Sequence, residues 1–497
     1  MKNIKKILLY SLSAVAVFTG AGCKKSFIDV PIEGAQPSEQ FWRNSDDATK
    51  AINAAYAYLR TWPQTAFASM AVESLGSDDA EKGSSSGDAS YMNDFDNFTV
   101  GPSSSNSSGQ LYDFWKGQYL EINYANQILD NVPGISMDAS LKARYLAEAK
   151  FLRAYSYFRL VRAFGGVPLR LTIPKTAAEF NIPRSSAAQV WAAIEQDLTD
   201  AAAVLPQSYP ATDLGHATKG AALALHAKAS MYQKKWAQTL ALTNQVMGLG
   251  YSLFPDYEKQ FRVENENNVE SIFEVQCAIV AGNSGATTSQ YSQIQGIRGQ
   301  NPSMGWGFNT PTAELAASYE PLDPRRDATI VFRGETTPQG DAIPLAGDNP
   351  RYNQKSYVPQ AQIVPGYNEG AQQNIRVLRY ADVLLMNAEA ANEVGGLTAQ
   401  VLTNLNAVRT RARGANPLTV LPPITTTDQA TLRTLIWNER HAELAMENDR
   451  YFDVIRQGRG LAIFGPKGWK ANKNEVWPIP QTEIDISAGV LTQNPGY

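Results

Sequence analysis

The stretch from Leu141 to Phe164 constrains the fold of this chain more than any other segment. Ala147, Phe151, Ala154, Phe158 and Val161 recur at alternating spacings of four and three residues, which puts them on one stripe of an α-helix. Gly165-Gly166 ends that helix and Pro168 blocks its restart. Two helical hairpins follow. The first runs from Gly220 to Met247, with arms AALALHAKASMYQ and WAQTLALTNQVM and a turn near Lys234-Lys235. The second runs from Tyr380 to Arg413. Tyr380, Leu384, Ala388 and Ala391 line one arm, Gly395-Gly396 makes the turn, and Val401, Leu405, Val408 and Ala412 line the other. Small residues let paired helices approach closely, and arms of this length joined by short turns resemble tetratricopeptide hairpins. Ser45-Asp46-Asp47 reads as a cap before another helix, DDATKAINAAYAYLR. The expected fold class is mostly α: a tetratricopeptide-type hairpin scaffold with long irregular loops and a few short β-strands.

The first residues are an address rather than fold. Lys2, Lys5 and Lys6 form a positive n-region ahead of the apolar run Ile7 to Phe18. As a helix that run spans roughly 18 Å, short of the ~30 Å hydrocarbon core, so it reads as a signal peptide and not a span. Thr19-Gly20-Ala21-Gly22 leads into Cys23, and small residues before a cysteine fit a bacterial lipobox with Cys23 as the lipidated residue. Gly20 stands where a leucine is usual, and cleavage of an ordinary signal near Ala21 is the alternative. The expected organisation is residues 1–22 as signal peptide and 23–40 as lipidated N-terminus and tether. An N-terminal part, 41–270, then packs with a C-terminal part, 271–497, as one globular unit. No later apolar run reaches the ~18 residues a span needs. With Cys23 acylated only Cys277 remains, so no intramolecular disulfide is expected. Cys277 lies in SIFEVQCAIV, which reads as a buried strand with a structural cysteine.

Composition narrows the function. The chain of 497 residues has 44 Lys+Arg against 48 Asp+Glu, and this weakly acidic balance disfavours nucleic acid as a partner. Only 19% of residues are charged while 10% are aromatic, a surface chemistry suited to uncharged ligands. The three histidines leave little room for a histidine-based metal site, and no metal or cofactor is expected.

Most motifs with catalytic associations have a bland explanation. Gly83 to Gly87, GSSSG, matches the nucleophile-elbow pattern around Ser85, but its flanks read as a polar loop rather than strand and helix. Glu439, Glu443 and Glu447 recur every four residues around His441. Glycosidase carboxylates must face each other across a substrate, and carboxylates on one helical face do not. Arg440, Arg450 and Arg456, with Arg409, Arg411 and Arg413 of the preceding hairpin, make structural salt bridges the better reading. HExxH, paired CxxC, P-loop and dinucleotide motifs are missing from the sequence, and no enzyme is expected. Asp78-Asp79 suits turn chemistry, with a cation or a sugar hydroxyl as the alternative.

Long loops carry the binding hypothesis. Gly76 to Gln110 is polar with Tyr91, Phe95 and Phe98 embedded; Ala278 to Pro311 is similar, with Tyr291, Trp306 and Phe308; Thr336 to Gly370 is rich in Pro and Gly. Loops this long inside a compact protein are usually functional or disordered, and embedded aromatics favour function in the first two. A flat ring covers the apolar C–H face of a sugar, and ~50 Å² of contact contributes on the order of 1 kcal/mol. Trp306, between Gly305 and Gly307, either offers an unobstructed face or packs into a tight turn. The stacking candidates are Trp306, Tyr291, Tyr91 and Trp62, with Asn93, Asp94 and Arg298 as candidates to bond hydroxyls.

Several blocks resemble a known family. AEAKFLRAYSYFRLVRAFGGVPL from Ala147 is similar to the signature helix of the SusD/RagB family. RYADVLLMNAEAAN from Arg379, LNAVRTRAR from Leu405, LIWNERHAELAMENDRYFDVIRQG from Leu435, the C-terminal WPIPQTEIDISAGVLTQNPGY and the early FWRNSDDATKAINAAYAYL resemble further family blocks in order. The resemblance implies a scaffold of four tetratricopeptide hairpins and a lipid-anchored protein of the outer membrane, facing outward. It implies a lid on a SusC-like TonB-dependent transporter that captures a glycan and delivers it without catalysis. The alternatives are the same uptake role for peptides, or a tetratricopeptide scaffold that binds only proteins. The shared motifs are scaffold motifs, so the site candidates rest on the loops alone.

Overall fold

The computed structural model describes residues 41–103, 106–280, 287–299, 304–363 and 371–497. The signal segment, Cys23 and the tether lie outside the described residues, as do parts of all three long loops. Residues Asn44–Tyr497 form one compact unit.

Helices dominate it. They are α1 (Ser45–Tyr58), α2 (Ser107–Asn131), α3 (Ala139–Phe164), α4 (Ala187–Val204), α5 (Lys219–Tyr232), α6 (Trp236–Met247), α7 (Tyr380–Val394), α8 (Thr398–Arg413) and α9 (Gln429–Leu444). From α1 to α8 each helix packs on the next, which makes a tetratricopeptide-type stack of antiparallel hairpins, and α9 covers α7. The expected stripe of α3 is buried at Ala147, Phe151, Ala154, Phe158 and Val161. Both predicted hairpins are present, with Lys234 at φ +58° in one turn and Gly395 at φ +83° in the other. The cap of α1 differs from expectation by one residue: the Asn44 side chain accepts from the backbone N–H groups of Asp46 and Asp47. Asn at the N-cap leaves both aspartates in the first turn, where the helix dipole favours them.

Between α6 and α7 the chain leaves the stack and returns, although the two helices pack together. This excursion carries most of the strands. They form two-stranded antiparallel ladders: β1 (Ala80–Gly83) with β3 (Phe308–Pro311), β2 (Ser271–Val275) with β6 (Ile375–Arg379), and β4 (Ile330–Phe332) with β5 (Arg351–Asn353). The β2–β6 ladder closes the excursion at its base. The β1–β3 ladder joins it to the loop before α2, with Glu81 opposite Thr310 and Gly83 opposite Phe308. Cys277 lies just past β2, buried, its N–H donating to Asn374 Oδ1 at 2.7 Å. No helix among the described residues is long and apolar enough to cross a membrane.

Three expectations are corrected here. A strand does precede the GSSSG run, because β1 ends at Gly83, although no helix follows at Ser85. Phe95 and Phe98 belong to the core. Phe98 stacks on Trp477 at 6.1 Å and 10°, and Phe95 meets it edge-on at 5.3 Å. Trp477 is fully buried and donates to Val72 O at 3.0 Å. A polar loop thus hides its rings under the C-terminal segment. Asp78 and Asp79 are spent on α9 and the segment after it. Asp78 accepts from Nε and Nη2 of Arg450, both at 2.7 Å, and Asp79 meets His441 Nε2 at 2.6 Å. Arg450 thus neutralises Asp78, although one ligand atom each of Asp78, Asp79 and His441 lies within 4.8 Å of the others.

The three glutamates are structural, but they do not share one helical face: Glu439 and Glu443 lie on α9, whereas Glu447 follows in the turn beyond its end at Leu444. Glu443, fully buried, meets Arg411, Arg379 at 2.6 Å and Arg325 at 3.2 Å. Glu439 pairs with Arg409 at 2.9 Å and Arg325 at 2.6 Å, and Glu447 with Arg379 at 2.8 Å and Lys355 at 2.6 Å. Burial pushes the Glu443 pKa up, but Arg411, Arg379 and Arg325 outweigh it and hold the carboxyl at about 2.

Candidate functional site

Two tryptophans far apart in sequence stand side by side. Trp62 and Trp306 have ring centroids 6.1 Å apart with planes at 48°. Phe67 packs edge-on against both, at 5.3 Å from Trp62 and 6.0 Å from Trp306, and reaches Phe308 at 4.8 Å. Trp62 is exposed, Trp306 and Phe67 are half-buried, and Phe308 is buried beneath them. The result is a tilted aromatic surface with a packed base.

Trp62 opens a short helix, Trp62–Thr65, with Pro63 at its first turn. Proline suits that position because its missing N–H has no partner there in any case. Gly117 of α2 lets the turn sit close, since a Cβ there would lie 2.8 Å from Pro63 Cβ. Gln64 then fastens the turn to the stack. Its amide donates to Gly117 O at 2.9 Å, and its oxygen accepts from Gln118 at 2.9 Å and from Arg159 of α3 at 2.5 Å. Arg159 is in turn locked to Glu73 at 2.6 Å. The helical scaffold therefore fixes the first tryptophan.

Trp306 is held by backbone. Its N–H donates to Gln293 O and the N–H of Gly307 to Gly296 O, both at 2.9 Å. Gly307 has φ +74°, and a Cβ there would lie 2.5 Å from Asn349 Nδ2. Gly307 O accepts from Asn349 Nδ2 at 2.8 Å and from Ser84 N at 2.5 Å. Both readings of the flanking glycines thus hold together: they build a tight turn, and that turn leaves the indole partly open.

The remaining candidates have other places. Tyr291 opens the short helix Tyr291–Gln295 and lines a cavity of about 40 Å³ with Gln64, Glu73 and Arg159; burial pushes its hydroxyl up to about 12. Tyr91 is half-buried, with Gln110 Nε2 of α2 at 3.5 Å from its hydroxyl. Asn93 opens a short helix, and Asp94 accepts from Thr99 Oγ1 at 3.0 Å. The contacts of these three run to α2 and their own loop. Arg298 does reach the site, but as a brace: its guanidinium donates to Asp88 and Ser84 and lies 3.5 Å from Trp306 O. Phe67 was missed, because nothing in FASM marks it apart from a core residue. Another groove, of about 370 Å³, lies elsewhere, between α2, the 168–182 segment and Glu483–Leu491. Its one tryptophan, Trp115, is only 2% exposed and has no open face.

Known proteins match this chain in sequence and fold. A family model described as SusD family covers residues 269–497, and one described as starch-binding associating with outer membrane covers residues 35–231. The fold superposes on a laminarin binding SusD-like protein with a TM-score of 0.77 and 32% identity, covering 92% of this chain and 100% of that one. The chain belongs to the SusD family. It is also 27% identical to SusD-like protein P2 of Formosa agariphila, over 97% of this chain and 98% of that relative. A SusD-like protein from Bacteroides fragilis gives a TM-score of 0.78 at 26% identity, covering 93% of this chain and 99% of that one. Outer-membrane association goes with the family, and so does the helical-hairpin scaffold. The shared blocks noted in the sequence fall on α1, α3, α7, α8, α9 and the segment after it, and the C-terminal segment around the buried Trp477.

Proposed function

We propose that this SusD-like protein is a non-catalytic glycan-binding lipoprotein that captures oligo- or polysaccharide on the Trp62–Trp306 surface. It then hands the glycan to a SusC-like TonB-dependent transporter of the outer membrane. The observation that supports this best is the pairing of an exposed Trp62 with Trp306 at 6.1 Å, each fixed by a different part of the fold. Rigid rings lose little entropy when they stack on a sugar, and their tilt suits a ligand that contacts both faces at once. The laminarin binding relative at 32% identity supports a glycan rather than a peptide. The buried carboxylates of α9 are saturated by arginines, which supports a non-catalytic role. Anchoring through lipidated Cys23 and an outward-facing position complete the reading.

Affinity electrophoresis of the chain from Lys24 onward, against plant, host and microbial polysaccharides, tests it. Retardation by a glycan should weaken about fivefold in Trp62→Ala and in Trp306→Ala, the ~1 kcal/mol expected of one stacked ring. Retardation that survives both changes would move the site elsewhere.

A further inference from the structure

We propose that the Trp62–Trp306 surface is built for an uncharged glycan, and that Asp88 sets this choice by neutralising Arg298 at its edge. The inference rests on the glycan reading above and names its ligand class. Arg298 lies 3.5 Å from the carbonyl of Trp306 and its side chain is 39% exposed, so its guanidinium is within reach of a ligand on that ring. An unpaired arginine there would attract a sugar carboxylate or sulfate, which it can grip with two parallel hydrogen bonds. Asp88 prevents this. It pairs with Arg298 while Ser84 Oγ bonds the same Asp88 oxygen at 2.9 Å. Hydrogen bonds from Ser85, Ser84 and Arg298 hold the Asp88 carboxyl at about 2, so it carries its charge throughout the neutral range.

The neighbouring cations are spent as well. Lys82 stands 5.7 Å from the Phe308 ring, but its ammonium donates to the carbonyls of Gly83 at 2.8 Å and of Ser85 and Asp88 at 2.9 Å. Arg351, on the strand beside β3, donates to Pro311 O at 2.7 Å and pairs with Glu81 at 3.3 Å. Arg298, Lys82 and Arg351 therefore each have a carboxylate or carbonyl partner. The exposed Asp348 carboxylate also lies near Lys82 and adds to the negative charge that an anionic sugar meets at this edge. An anionic sugar has to break the Arg298–Asp88 pair or lie against the Asp88 carboxylate, so selectivity comes from a repulsive group as much as from the rings.

The test uses the chain from Lys24 onward, which retains the whole compact unit Asn44–Tyr497. Laminarin, starch and galactomannan serve as neutral probes in affinity electrophoresis, and laminarin sulfate, dextran sulfate and polygalacturonate as anionic ones. The wild type should be retarded by a neutral probe and by none of the anionic ones. Asp88→Asn should gain retardation by an anionic probe, about fivefold at low salt and lost as salt screens it. Adding Arg298→Gln to Asp88→Asn should abolish that gain. If Asp88→Asn does not fold, Asp88→Ser serves in its place and should gain the same anion retardation, while Arg298→Gln, like the wild type, should show none. The proposal is overturned by a wild type that binds anionic probes as tightly as neutral ones. It is equally overturned by a folded Asp88→Asn that gains nothing, or by an Arg298→Gln that gains anion binding. Retardation of the wild type by no probe at all would instead overturn the glycan reading underneath.

Discussion

Replacing Glu121 with methionine should stabilise this protein, and by more as the pH rises. Glu121 lies midway along α2 with no exposed surface, and neither carboxyl oxygen has a hydrogen-bond partner. Burial alone drives its pKa well above the ordinary 4.5. The folded state therefore keeps a proton that the unfolded chain releases. The stability tied to this group is fully present below the unfolded-state pKa and is lost as pH rises towards the folded-state value. One proton corresponds to ~1.4 kcal/mol per pH unit, so the wild type loses up to about 2.7 kcal/mol between pH 5 and pH 7 that a non-titrating residue keeps. Methionine matches glutamate in length and bends to fill the same space. Urea unfolding of both proteins at several pH values, extrapolated to water, measures the difference. It should widen with pH at up to that slope. A difference that stays flat, or a variant less stable at every pH, would refute the reasoning, because it would mean the carboxyl is ionised and satisfied in the fold.

Other perturbations test the rest of the architecture. Gly307→Ala puts a side chain at φ +74° with its Cβ 2.5 Å from Asn349 Nδ2, so it should cost about 1–3 kcal/mol in thermal unfolding and weaken glycan retardation by displacing Trp306. Glu443→Gln leaves Arg379, Arg411 and Arg325 without their shared charge and should destabilise the fold by about 3–5 kcal/mol in urea. In the wild type, Glu443's contribution is present above pH 4.5 and is lost only as pH falls towards about 2, which acid titration followed by circular dichroism should show. Burial pushes the Cys277 thiol up to about 12, so thiol reagents at pH 8 should label it only at the rate the protein opens, as a denaturant series would reveal.

Parts of the fold and site were legible for identifiable reasons. The α3 stripe and the two hairpins were readable because helical period and glycine turns are local signals. The salt-bridge role of Glu439 and Glu443 was readable because Arg409 and Arg411 lie on the preceding helix. Their other partners, Arg325 and Arg379, and Lys355, which pairs with Glu447, come from the excursion between α6 and α7, and no spacing links them to α9. The loops misled where aromatic content alone was used. Phe95 and Phe98 sit among Ser, Asn and Asp as Tyr91 does, yet Trp477 draws them inward. Arg298 carried the right chemistry for a hydroxyl donor, but Asp88 claims it.

The sequence by itself determined α1, α3, the two helical hairpins with their turns, the arginine–glutamate character of α9 and the exclusion of familiar catalytic motifs. Each depends on residues within a turn or a hairpin of one another. Only the tertiary structure decided the site. Trp62 is positioned by Gln64, Arg159 and Gly117, whereas Trp306 is positioned by Gln293, Gly296 and Asn349. Whether an aromatic ring in a polar loop faces solvent or core depends on what distant segment arrives beneath it. That is set by packing across the whole chain, where no local period carries the information.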